Sequence, residues 1–144
     1  MDNIIFPEKI LQIKPSATLA ITSKAKQLKA QGVDVISLAA GEPDFNTPEH
    51  IKQCGHRAID ENFTNYTPSS GTIELKEAIC RKFKLDNGLE YLPEQVIVGC
   101  GAKHCLFNIF QVLCQEGDGV LILSPHWVSY PQMVRLSGAT AVFL

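Results

Sequence analysis

The stretch that decides the fold is Val96-Ile97-Val98-Gly99-Cys100-Gly101-Ala102-Lys103. Its three β-branched residues predict a buried strand, the glycines predict a tight turn, and the apolar spacing after Lys103 predicts a helix. A strand that turns directly into a helix presents backbone N–H groups at the positive end of the helix dipole, which is a favourable place for a phosphate. The turn by itself leaves open the alternative of a plain strand-to-helix connection.

Two common phosphate-binding patterns do not fit this turn. The dinucleotide pattern G-x-G-x-x-G needs a glycine at position 104, where the chain has His104. The Walker pattern needs a Gly-Lys pair, and the sequence contains none. A nucleotide-binding domain is therefore disfavoured, and a phosphate site of another class remains open.

Outward from this stretch, helical patterns alternate with short apolar runs, which predicts an α/β sheet covered on both faces. Residues 1–15 are expected to form an extended arm, and the apolar run that ends at Leu144 without a turn signal predicts a truncated domain. The predicted helices cover Ser16 to about Gln31, Thr47 to about Glu61, about Thr72 to Leu85, about Lys103 to Gln115, and the segment after Trp127 to about Leu136. The predicted strands are Val35 to Ala39, Val96 to Val98 and Val120 to Leu123.

Composition places the chain among soluble globular proteins. Its 144 residues are 45% hydrophobic and 19% charged, with a formal net charge of -2, so neither a disordered chain nor a nucleic-acid or membrane-surface partner is indicated. The first ten residues lack the pattern of a signal peptide. No apolar run approaches the roughly 18 residues that a bilayer span needs. The five cysteines are then expected to be reduced thiols in a cytoplasmic protein.

Five short segments carry a family resemblance through their order and their intervals. They are Lys14–Thr18, Ala40–Phe45, Asn65–Pro68 with Gly71, Gly101–Lys103 and Ser124–Pro131. Together they resemble the bacterial aspartate aminotransferases, which are pyridoxal-phosphate (PLP) enzymes of fold type I. The resemblance covers essentially the whole chain and implies a three-layer α/β/α large domain, incomplete here, plus a segment of a small domain. Residues 1–45 would be the N-terminal arm and small-domain segment, and 46–144 the first part of the PLP-binding domain, truncated at Leu144.

The resemblance also implies which residues hold the cofactor. The amides of Ala102 and Lys103, after Gly101, would cradle the PLP phosphate, and Trp127 would stack on the cofactor ring. Tyr66 would donate its phenol to the phosphate of the neighbouring subunit in a homodimer. The alternatives are a core tryptophan and a tyrosine packed in its own loop.

A second set of residues is implied for the substrate. Gly41 would offer its N–H to the α-carboxylate, and the indole N–H of Trp127 could also reach a substrate carboxylate. Lys103 would lie near a distal carboxylate, which favours aspartate or glutamate. Ser16 and Thr18 belong to the segment that closes over the site. The alternatives are a turn glycine, a solvated helix lysine and, for Ser16, a helix cap.

The chain departs from the family pattern at His126, where a tyrosine is usual. Cys100, His104 and Cys105 crowd the phosphate turn, but neighbouring residues 104 and 105 cannot easily bind one ion and no second pair follows at metal-site spacing. No metal is therefore expected. We interpret the cysteines as core thiols and His104 as a solvent-facing side chain.

The catalytic residues of the family have no counterpart in this chain. The lysine that forms the Schiff base with PLP, the aspartate on the pyridine nitrogen and the arginine that clamps the α-carboxylate all come from later parts of the family's sequence. The resemblance therefore implies transfer of an amino group between an amino acid and a 2-oxo acid by the intact protein, and an inactive isolated chain. The alternatives are a non-catalytic remnant, one half of a split enzyme, or an aromatic, alanine or diaminopimelate aminotransferase.

Overall fold

The computed structural model describes residues 5–144, and this part of the chain contains six α-helices and two β-strands. The helices are α1 (Glu8–Leu11), α2 (Ala17–Ala30), α3 (Glu49–Asp60), α4 (Ile73–Lys82), α5 (Ala102–Leu113) and α6 (Tyr130–Leu136). The strands are β1 (Gly119–Ile122) and β2 (Thr140–Phe143). A π-helical turn, Phe83–Asn87, extends α4, and a 3-10 turn, Pro93–Gln95, follows it. Within residues 5–144 no helix is long and apolar enough to span a bilayer.

The chain divides into two compact units, which are described separately. One unit joins residues 5–47 to Cys114–Leu144, and the other is Pro48–Leu113. The predicted domains, 1–45 and 46–144, describe a longer protein and stay a prediction.

A parallel β-α-β unit organises the first of these units. Strands β1 and β2 pair in parallel from Gly119 opposite Thr140 to Ile122 opposite Phe143, with α6 as the connection between them. The buried core lies here, because Val134 is completely buried and Met133 and Ile122 retain 5% and 6% exposure. The predicted α/β class is confirmed, and the loop between β1 and α6 lies at the carboxyl end of a parallel strand, where ligands of α/β proteins commonly bind.

Helices α3, α4 and α5 make up most of the second unit. The hydroxyl of Thr72 caps α4 by accepting the N–H of Leu75 at 3.4 Å, as the predicted helix start implied. Gly88, with φ of +66°, ends the π-helical turn that extends α4. The segment 96–98 leads into α5, and its first residue, Val96, is 9% exposed.

Two predicted strands are not formed as strands. Residues 33–38 have no regular structure, and 96–98 is not part of a sheet. The latter segment is held by the Val96 N–H, which donates to the Pro93 carbonyl at 3.2 Å, and by the Val98 N–H, which donates to the Ser70 carbonyl at 3.0 Å. A strand exists only when a second strand pairs with it, and no partner for 96–98 lies within residues 5–144. Ile97 is consequently 77% exposed despite its apolar side chain.

Some predicted element boundaries were also wrong. Residues 5–15 are not fully extended, because they contain α1, and the predicted arm at 1–4 lies outside the described residues. Helix α3 begins at Glu49, with Pro48 at the cap position and no side-chain cap from Thr47. Proline already has the φ that this position needs, which explains why the helix starts without a hydroxyl cap.

Candidate functional site

The turn after residues 96–98 has the geometry that a phosphate site requires. Gly101 has φ of +83°, a left-handed conformation that glycine adopts without strain, and the space where a Cβ would stand is open to at least 4 Å. The first bond of α5 runs from the Cys105 N–H to the Gly101 carbonyl at 3.2 Å. Amides of the preceding first turn have no acceptor inside a helix, and residues 101–104 are exposed. The turn therefore offers backbone donors beside open space.

The other glycine of the turn is required by packing. A Cβ on Gly99 would lie 2.5 Å from the Cys105 sulfur and 3.4 Å from Nδ1 of His104. A side chain at position 99 would therefore require the Cys105 side chain to move from its place against the turn. The expectation of core thiols is wrong for Cys100, which is exposed, whereas Cys105 is half-buried against Gly99.

His104 holds the turn from the side of the helix, a role that the sequence analysis missed. Its Nδ1 accepts the N–H of Cys100 at 3.0 Å, and its Nε2 lies 3.1 Å from the side-chain amide of Asn108. The signal available in the sequence was the spacing of four residues from Cys100 to His104 and again to Asn108. No group of three or more His, Cys, Asp or Glu side chains in residues 5–144 is arranged to hold a metal ion.

The loop that carries Tyr66 is attached to the segment before the turn. Gly71 has φ of +101°, and a Cβ there would lie 2.7 Å from Cγ2 of Val98. The bond from the Val98 N–H to the Ser70 carbonyl fixes the same contact. Tyr66 itself is fully exposed, and no described residue forms a hydrogen bond with its hydroxyl. The alternative of a tyrosine packed in its own loop is therefore wrong.

Trp127 lies in the other unit, in the loop that follows β1. This loop begins with a cis peptide bond between Ser124 and Pro125. The indole meets Tyr130 edge-on, with ring centroids 5.5 Å apart, and Trp127 remains 42% exposed. A tryptophan buried in the core is therefore excluded, and a face of the loop remains accessible.

The neighbouring His126 has local partners within this unit. Its ring stacks on Phe143 of β2, with centroids 5.1 Å apart and an interplanar angle of 19°. Its Nδ1 lies 3.1 Å from the carbonyl oxygen of Trp127, where a protonated Nδ1 donates. His126 therefore packs the loop against β2.

Three further predicted substrate residues, Ser16, Thr18 and Gly41, also lie in this unit. Ser16 caps α2 by accepting the Leu19 N–H at 3.3 Å, so its capping role is formed. The Thr18 carbonyl accepts the hydroxyl of Thr22 at 2.9 Å, and Thr18 is half-buried. Gly41 is exposed in an irregular segment, with open space around its Cα.

The predicted site residues thus fall into two groups. Tyr66 and Gly101 to Lys103 belong to the unit Pro48–Leu113, whereas Ser16, Thr18, Gly41 and Trp127 belong to the other unit. Within the first group, the end of the Tyr66 loop contacts the segment before the turn at Gly101, through Ser70 and Gly71 against Val98.

Comparison with known proteins identifies the family of this α/β chain. The family described as aminotransferase class I and II matches residues 33–144. The chain belongs to this family.

Among individual proteins, the chain is similar to aspartate aminotransferases. It is 56% identical over 137 residues to the aspartate aminotransferase of Geobacillus stearothermophilus, covering 95% of this chain and 35% of that protein. It is 50% identical over 134 residues to the aspartate/prephenate aminotransferase of Thermus thermophilus, covering 93% and 35%. The structure of the Thermus thermophilus aspartate aminotransferase with maleate matches with a TM-score of 0.93 and 48% identity, covering 98% of this chain and 37% of that one. The chain thus spans about a third of the length of these relatives.

Proposed function

We propose that this chain is the N-terminal third of a PLP-dependent aminotransferase that moves an amino group between aspartate or glutamate and a 2-oxo acid. The observation that carries the proposal is an identity of about half of all residues with aspartate aminotransferases over nearly the whole chain. The open turn at Gly101 provides the independent physical support. We further propose a cytoplasmic homodimer with no metal.

The turn suits the phosphate of PLP in shape and in charge. The left-handed Gly101 leaves open space beside the start of α5, and no side chain fills it. The amides of Ala102 and Lys103 follow at the positive end of the helix dipole, which favours an anion. These residues would hold the phosphate, and the partly exposed indole of Trp127 would lie against the cofactor ring.

The substrate residues are assigned by the charges that the substrate carries. The N–H of Gly41 and the indole N–H of Trp127 would donate to a carboxylate, and Ser16 and Thr18 would cover the site from α2. The ammonium of Lys103 would pair with the distal carboxylate. The Thermus thermophilus relative was solved with maleate, which is a dicarboxylate, and this supports a dicarboxylic substrate.

Bound PLP supplies an electron sink for the negative charge that develops at the substrate's α-carbon. We propose that residues of this chain bind and orient the cofactor and the substrate, and that the residue that moves the α-proton belongs to the rest of the enzyme. We therefore propose that the chain has no catalytic residue and is inactive without the remaining two thirds of the enzyme. The alternatives remain a non-catalytic remnant, half of a split enzyme, or another aminotransferase of this fold. The aspartate/prephenate relative makes prephenate the second candidate acceptor.

The test is an assay of the complete enzyme with aspartate and 2-oxoglutarate, alongside its Lys103→Met variant. We expect turnover by the wild type, and a fall in kcat/KM for aspartate of about 10–100-fold in the variant, because a charge-assisted bond contributes roughly 1.5–3 kcal/mol. Turnover of alanine should change little. Lys52→Met, which removes a lysine from an exposed ion pair with Glu49 on α3, is the matched control. Absence of turnover with any amino donor would refute the proposed activity.

Full exposure of Tyr66 supports its assignment to a partner subunit. A phenol without a hydrogen bond to residues 5–144 is available to a neighbouring molecule, and the loop that bears it is held by Gly71 and Val98. Held in this way, Tyr66 would donate to the phosphate of the other subunit in a homodimer. Its side chain would stay exposed on the surface of its own subunit.

Tyr66→Phe in the complete enzyme should therefore weaken PLP binding by about tenfold, through loss of one hydrogen bond to a charged phosphate. The unfolding midpoint should stay unchanged, because the hydroxyl makes no hydrogen bond to the described residues of its own chain. The control is Tyr91→Phe, which deletes the same atom from a ring that packs edge-on against Phe83. Equal PLP dissociation constants for Tyr66→Phe and wild type would remove Tyr66 from the cofactor site.

A further inference from the structure

We propose that His104 is a positioning residue for the phosphate turn, because its Nδ1 accepts the N–H of Cys100 and so fixes the orientation of the amides that follow Gly101. The inference rests on the proposed function, because it takes the turn to be the PLP phosphate site. His104 itself is not assigned any contact with the cofactor.

Three hydrogen bonds define the shape of the turn. The Gly101 N–H donates to the Gly99 carbonyl at 2.9 Å, and the Cys105 N–H donates to the Gly101 carbonyl at 3.2 Å. Both are bonds between backbone atoms, which many residues at these positions could provide. The third, from the Cys100 N–H to His104 Nδ1 at 3.0 Å, depends on one side chain. This bond therefore makes the orientation of the peptide between Gly99 and Cys100, one residue before Gly101, depend on the residue at position 104.

The bond also fixes the tautomer of the imidazole. A backbone N–H can only donate, so Nδ1 must be the acceptor and the neutral ring carries its proton on Nε2. The side-chain amide of Asn108 lies 3.1 Å from Nε2. The atom at this distance is Nδ2, which like the protonated Nε2 is a donor, so a bond forms there when the amide is turned to present its oxygen. The bond from the Cys100 N–H to His104 is the one that the inference uses.

This arrangement makes the turn sensitive to acid. Protonation of the ring places a hydrogen on Nδ1, and the Cys100 N–H then faces a donor instead of an acceptor. The nearby titratable groups are Cys100 in the turn and Lys103 and Cys105 on α5, whereas Ser69 and residues 97–99 contribute none. His104 is exposed, so solvent screens the attraction of a charged ring for a phosphate. Loss of the Nδ1 acceptor, by contrast, breaks a hydrogen bond of the turn itself.

Two substitutions at position 104 distinguish the loss of the hydrogen-bond acceptor from the loss of the imidazole ring. His104→Asn puts an amide oxygen close to the position of Nδ1 and cannot be protonated, and His104→Leu keeps the bulk without an acceptor. The PLP dissociation constant of the complete apoenzyme is measured for wild type and both variants from about pH 8 to about pH 5.5, the range in which histidines change charge. Pyridoxal, which lacks the phosphate, is titrated in parallel.

At about pH 8 we expect His104→Leu to weaken PLP binding by about tenfold and to leave pyridoxal binding unchanged. His104→Asn should bind PLP within about threefold of wild type, and wild type should lose affinity on acidification by several-fold more than His104→Asn. Should His104→Leu fail to fold, the pH comparison of wild type with His104→Asn still decides the question. Identical pH profiles for those two proteins would overturn the role of His104. A wild type that binds PLP no better than pyridoxal would instead overturn the proposed function.

Discussion

Gly101→Ala is expected to weaken PLP binding to the complete enzyme about tenfold or more. In the left-handed region that Gly101 occupies, with φ of +83°, a residue with a Cβ raises the conformational free energy by roughly 1–2 kcal/mol. The chain relieves this strain by rotating φ toward negative values, and that rotation turns the next amides away from the phosphate. A tenfold loss corresponds to about 1.4 kcal/mol, so even partial rotation is measurable by titration of the apoenzyme with PLP.

Gly88→Ala provides a closely matched control for this prediction. Gly88 also has a positive φ, +66°, and no atom lies within 4 Å of its Cβ position. The two substitutions therefore add the same atom to the same kind of backbone, in open space, and lower stability by a similar amount. Only Gly101→Ala should affect PLP. If both variants bind PLP equally well, the turn at Gly101 does not hold the phosphate.

Gly71→Ala should lower the stability of the complete enzyme more than Gly101→Ala or Gly88→Ala does. The added Cβ would lie 2.7 Å from Cγ2 and 3.0 Å from Cβ of Val98, on a backbone with φ of +101°. Left-handed strain contributes roughly 1–2 kcal/mol and overpacking roughly 1–3 kcal/mol, so we expect a total near 3 kcal/mol. The unfolding midpoint in urea measures this loss.

A second substitution tests whether the contact with Val98 is the cause. Val98→Ala removes Cγ2, so it should recover part of the loss in the Gly71→Ala background, and the two effects should be less than additive. Gly88→Ala again reports the backbone strain alone, at about 1 kcal/mol. If Gly71→Ala costs no more than Gly88→Ala, the Tyr66 loop is not anchored at Val98.

Local patterns in the sequence predicted most of the helices. The spacing of apolar residues located α2, α4 and α5, and the hydroxyls of Ser16 and Thr72 marked helix starts that the structure caps with those same side chains. These features depend on residues three or four positions apart, so the sequence contains the information directly. The apolar run Val120 to Leu123 also predicted the place of β1, whereas its parallel pairing with β2 is seen only in the structure.

The predicted strand at 96–98 failed for a different reason. Its residues are typical of a buried strand, but pairing requires another strand, and none is available to it within residues 5–144. Residues 96–98 therefore form an irregular segment, in which the Val98 N–H donates to the Ser70 carbonyl.

By itself, the sequence determined the α/β class, the Ser16 cap of α2 and the glycine turn at Gly101, because each of these follows from neighbouring residues and backbone preference. Tertiary structure alone decided that Gly71 packs on Val98 and that Gly99 accommodates the Cys105 sulfur. It also decided that the imidazole of His104 turns back to the Cys100 N–H. Such contacts depend on how distant segments approach and on which rotamer a side chain adopts, and packing settles both only after the chain has folded.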